Sequence, residues 1–78
     1  MTEQEIKKMD KLLDEALMHA RRAKELYAEI KDVQTIASCI STLRTADSRK
    51  SYADGIRQAL VILGFKSDKM QELNKLLD

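Results

Sequence analysis

Ile6, Met9, Leu13, Ala16, Ala20, Ala23, Tyr27 and Ile30 recur at alternating spacings of three and four residues, the a/d seam of a helix that lays one apolar stripe against a partner. This pattern confines the chain as far as Lys31 to one long amphipathic helix. Thr2 and Glu5 form a capping box at its start: the hydroxyl accepts from the backbone N–H near Glu5, and the carboxylate reaches back to the N–H of Thr2. The seam is large at both ends and small in the middle, so Ala16, Ala20 and Ala23 allow a neighbouring helix close. Leu12, Leu17 and Leu26 widen the stripe enough to touch more than one neighbour.

The remainder of the chain is helical in the same sense. There is no Pro and there are only two Gly, while strong helix formers dominate, so an all-α class is expected. The predicted architecture is a helical hairpin plus a short C-terminal helix, a three- to four-helix bundle with helices over about 2–31, 33–46, 48–63 and 67–77. Lys31-Asp32 is the turn candidate, with Asp32 capping a helix from Val33; the alternative is a first helix that runs straight on into the second, which the rotated apolar stripe of Val33, Ile36, Ala37, Ile40 and Leu43 disfavours. At about 100° per residue, Val33, Ile36, Ile40 and Leu43 share a face, and Tyr52, Ala53, Ile56, Leu60 and Leu63 lie nearly opposite. Two structures explain this change of side. One is a break around Ala46 to Ser48 with Asp47 or Ser48 as a new N-cap, which the capping-box spacing of Ser51 and Asp54 also favours; the other is a continuous helix whose halves face different partners. Gly64 is placed as a left-handed C′ residue that ends the helix at Leu63, with Phe65 packing back on Leu60. Ser67 then caps a last helix carrying Met70, Leu73 and Leu77.

A chain of 78 residues buries a small fraction of its surface and commonly needs a disulfide, a metal or self-association. One cysteine, Cys39, excludes an internal disulfide, and a lone His19 argues against a structural zinc site. Self-association is the remaining device, and a homo-oligomer is expected. Its predicted interface is the seam of Ile6, Met9, Leu13, Ala16, Ala20, Ala23 and Tyr27, or the displaced face carrying Ile56 and Leu60. A net charge of +1 made of many charges of both signs points to neither nucleic acid nor an anionic membrane. The charged N-terminal stretch lacks the apolar core of a signal peptide and no apolar run reaches spanning length, so a soluble, cytoplasmic protein is expected.

Catalytic, metal and cofactor signatures are not expected from these residues, and the chain reads as a non-enzyme. The candidate ligand site is the stripe of Thr45, Ser48, Arg49 and Tyr52, with Arg44, Lys50 and Arg57 nearby. An Arg with its stem on an apolar face and its planar fork at an opening suits a carboxylate or phosphate. Gly55 removes a side chain where a ligand or a second backbone can approach. The plainer expectation is that Arg49 pairs with an acidic residue of the first helix and that Gly55 marks a close crossing. Arg21, Arg22 and Lys24 with His19 read as a solvated face tied to Glu25 and Glu29, without the helix-turn-helix of a groove reader.

The segment Tyr52-Ala-Asp-Gly-Ile-Arg-Gln-Ala-Leu-Val-Ile-Leu-Gly64 resembles helical segments in small orphan proteins of phages and prophage regions. That resemblance implies a compact protein that binds a host protein or a small signalling molecule, and it assigns no functional residue. Three functions are therefore expected in order: an adaptor or inhibitor engaging a protein partner as a homo-oligomer, a protein sequestering an anionic small molecule such as a nucleotide between subunits, and a nucleic-acid-binding regulator.

Overall fold

Helix α1 (Glu3–Glu29) begins where the capping box puts it. The Glu5 N–H donates to Thr2 Oγ1 at 3.2 Å, and the Thr2 hydroxyl donates in turn to the Glu5 carboxylate at 3.1 Å. The carboxylate thus holds the hydroxyl rather than the Thr2 N–H. The computed structural model describes residues 1–30 and 36–78; the predicted turn at Lys31-Asp32 and the helix start at Val33 lie outside them. From Ile36 the chain runs as a second helix, α2 (Ile36–Ile62), and after a short connection as α3 (Lys69–Leu77). There is no strand among the described residues.

The predicted break around Ala46 to Ser48 is absent: α2 is one helix of 27 residues, equal in length to α1. Without a Pro, nothing forbids continuation, and the residues offered as new caps are occupied otherwise. Asp47 accepts a hydrogen bond from the Tyr27 hydroxyl, and Asp54 takes Arg57 and Gln58 within its own helix. The switch of apolar face is therefore carried by a single rod whose halves look in different directions. At its far end the Phe65 N–H donates to Leu60 O at 2.9 Å and the Gly64 N–H to Val61 O at 3.0 Å, with Gly64 at φ 75°. This is the Schellman pattern, and it stops the helix where the sequence places the stop.

Helices α1 and α2 lie antiparallel, with Met9 and Leu60 in the core near one end and Tyr27 and Asp47 bonded nearer the other. Helix α3 returns alongside α1. Lys69 reaches Asp10 at 3.3 Å and Asp14 at 2.9 Å, and Arg57 of α2 reaches Asn74 at 3.2 Å. The Ser67 hydroxyl accepts from the Lys69 N–H at 3.3 Å, the capping role expected of it. The molecule is a rod of 50 × 17 × 16 Å, and a nine-residue α3, about 13 Å long, covers only part of its flank.

The core joins Met9, Leu13, Ala16, Leu17 and Ala20 of α1 to Ala53 and Leu60 of α2 and to Leu73 and Leu77 of α3. This corrects the predicted interface. Met9, Leu13, Ala16, Ala20, Ala23 and Leu60 are buried within one chain, because two further elements of the same chain supply the apolar faces the seam requires. Ile56 packs against the same core and Tyr27 is half-buried, so from that set Ile6 alone stays exposed.

Candidate functional site

Two regions of the surface depart from the pattern of an apolar interior and a charged exterior. The first is the end of the rod where α2 stops. Val61, Ile62 and Leu63 are 61%, 84% and 58% exposed, and Met1 is 65% exposed. Val61 and Ile62 close α2 and Leu63 follows directly; successive residues of a helix point about 100° apart, so this end is apolar on several sides instead of along one stripe. Shallow hollows of about 320, 390 and 350 Å³ surround it. Val61 borders the first two, the one beside Phe65 and Met70 and the one beside Arg57; Leu63 borders the third with Met1 and Met9. The local sequence compels this geometry, because the Schellman turn at Gly64 directs the chain back towards α1 and leaves the preceding turn of α2 uncovered.

The second region lies at mid-length, where α1 and α2 face each other away from α3. Arg49 Nη1 is 3.2 Å from His19 Nδ1. A guanidinium only donates, so Nδ1 accepts and the ring proton sits on Nε2. The His19 ring meets the Tyr52 ring edge-on, with centroids 4.7 Å apart at 67°. Arg49 is half-buried and makes no ion pair among the described residues. The expected partnership with an acidic residue of the first helix is therefore replaced by one with an imidazole. His19 is the residue that the sequence reading left aside, and the signal that finds it is the antiparallel register, which sets it opposite Arg49 and Tyr52.

The other residues of the predicted site are dispersed. Thr45 donates its hydroxyl to Ser41 O at 3.1 Å, within its own helix. Ser48 and Arg44 are exposed. Arg57 turns to the α3 side, where it pairs with Asp54 at 2.6 Å and Asp78 at 3.4 Å; burial opposes its charge, but these carboxylates hold its pKa above the ordinary value. Lys50 also lies on the α3 flank, beside Lys24 and Lys75. At Gly55 an added Cβ would meet nothing within 4 Å, so neither a close crossing nor a neighbouring backbone explains this glycine.

Three further cations, Arg21 and Arg22 of α1 and Lys69 of α3, are neutralised. Arg22 pairs with Glu25 at 3.0 Å and Glu29 at 3.5 Å, and Arg21 pairs with Glu72 of α3. The hydrogen bonds that the Lys69 ammonium donates to Asp14 and Asp10 raise its pKa above the usual value. Cys39 is a half-buried free thiol. Among the described residues, no cluster of His, Cys, Asp and Glu has metal-binding geometry, and no helix is long and apolar enough to cross a membrane. Comparison with protein-family models, with curated proteins and with solved structures gives no match.

Proposed function

We propose that this chain is a non-enzymatic binding protein, an adaptor or inhibitor that self-associates and engages a protein partner through the apolar end of its rod. The observation that carries the reading is the exposure of Val61, Ile62 and Leu63 together with Met1. Contiguous apolar surface on a small soluble domain marks contact with another macromolecule, and at about 25 cal/mol per Å² its burial is the strongest drive to association that these residues offer. The ion pairs of Arg21 and Arg22 leave fewer free cations for a phosphate backbone, which favours a protein over a nucleic acid.

Sedimentation equilibrium over a concentration series tests the proposal. The wild type is expected to self-associate, and Ile62→Glu with Leu63→Glu to remain monomeric at unchanged helicity. A wild type that is monomeric throughout would overturn the self-association.

A second reading, capture of an anionic small molecule between subunits, is supported by the Arg49 guanidinium, which makes no ion pair among the described residues and lies beside His19 and Tyr52. Thermal shift against a nucleotide panel tests it, since a ligand at a hundred times its Kd adds about 2.7 kcal/mol. Stabilisation is expected for the wild type and not for Arg49→Ala; equal behaviour of the two ends the idea.

A further inference from the structure

On the flank opposite Arg49, the C-terminal end of α3 stops short against the middle of the hairpin and leaves a cavity of about 230 Å³. Ala20 and Ala23 of α1 and Leu77 of α3 line it, and so do Lys24, Lys50 and Lys75, one lysine from each of the three helices. We propose that this cavity binds a compact, multiply charged phosphate-type anion.

Four observations lead there. First, none of these three lysines makes an ion pair among the described residues. Second, the carboxylate on the lining, Asp78, is engaged by Arg57 at 3.4 Å. Third, the carbonyl end of α3 carries about half a negative charge; this accounts for Lys75 in its last turn, and together with the Asp47 carboxylate one turn from Lys50 it offsets only part of the three lysine charges. Fourth, the volume lies below the roughly 300 Å³ at which drug-sized pockets begin, which selects a small ligand over a whole nucleotide. Lysine is a compact point charge with three rotatable donors, so three of them around a hollow suit an anion that presents oxygens on several sides, as phosphate does. The small Ala20 and Ala23 side chains, which bring the helices together elsewhere along the seam, here leave the space.

The test is a titration of the ¹⁵N-labelled full chain with sodium pyrophosphate, matched in ionic strength by sodium chloride. Saturable shifts confined to Ala20 to Tyr27, Lys50 and Lys75 to Asp78 are expected. Lys24→Gln with Lys75→Gln should weaken binding at least about tenfold, and Lys66→Gln, at the far end of the rod, should leave it unchanged. Both variants replace exposed side chains, and their helicity is checked by circular dichroism. Shifts that fail to saturate, that chloride reproduces, or that survive in the double variant would overturn the proposal. These residues do not overlap the apolar end or Arg49, so its failure leaves the functional readings standing, and theirs leaves it standing.

Discussion

Helices α1 and α2 have the same length and pack against each other, yet they use their apolar residues in opposite ways. α1 places Met9, Leu13, Leu17 and Leu26 in the interior with Ala16, Ala20 and Ala23. Among the described residues, α2 buries only Ala46, Ala53 and Leu60, and its larger apolar residues Ile40, Leu43, Tyr52, Val61 and Ile62 are exposed. One helix is amphipathic because a single chain must bury one stripe of it. The other carries apolar residues on several faces, more than an intramolecular core with one neighbour and a short third helix can cover. The lesson is a division of labour in which α1 organises the fold and α2 carries the surface.

That contrast can be broken most forcefully at Leu13, which is fully buried. Leu13→Ala should cost about 2–5 kcal/mol, measured by urea unfolding. A loss under 1 kcal/mol would mean that the α1 seam is not the core. On α2 the contact residues are small, so Ala53→Leu should overpack and cost about 1–3 kcal/mol; a neutral result would show that the helices do not meet closely there. Tyr27→Phe removes the hydrogen bond to Asp47 and should cost about 1 kcal/mol or less. That bond first, then burial, then the Asp47 charge raise the Tyr27 phenol above its ordinary value of 10.0. A raised pKa gives stability that is complete below the unfolded value and fades as pH rises through the folded one. The difference between wild type and Tyr27→Phe should therefore be constant in thermal melts below about pH 10 and shrink above it. Gly55→Ala should stabilise by about 0.5–1 kcal/mol, since an interior helical glycine costs backbone entropy and its Cβ would meet open space. Ile62→Ala should change the stability of the monomer by no more than about 0.5 kcal/mol, although the residue is as apolar as Leu13.

The elements whose signals are local were legible in the sequence. The Thr2 N-cap, the seam of α1, the Gly64 stop and the Ser67 cap need only residues within a turn of one another, and each is present, although the Glu5 half of the predicted capping box goes to the Thr2 hydroxyl. Two readings failed for non-local reasons. The break near Asp47 rested on capping residues, but Tyr27 and Arg57 engage Asp47 and Asp54 instead, and both contacts depend on tertiary or helical geometry already formed. The seam was assigned to a partner chain because its spacing is the same whether the partner helix belongs to that chain or another. The candidate site divided for a related reason. Arg49 and Tyr52 share a face of α2, and Lys50 and Arg57 lie towards α3, so adjacency in sequence placed together residues that the helix sends apart. The position of His19 opposite them required the hairpin register.

The assignment of α2 as the surface-bearing helix is tested most directly by solvent exposure of specific methyl groups. With a soluble paramagnetic agent, the methyl resonances of Val61, Ile62 and Leu63 should be strongly broadened in a dilute sample and become protected as concentration rises, while those of Leu13 and Leu73 stay protected throughout. Methyls at 61–63 that remain equally accessible at every concentration, or that are protected even in the dilute monomer, would contradict it.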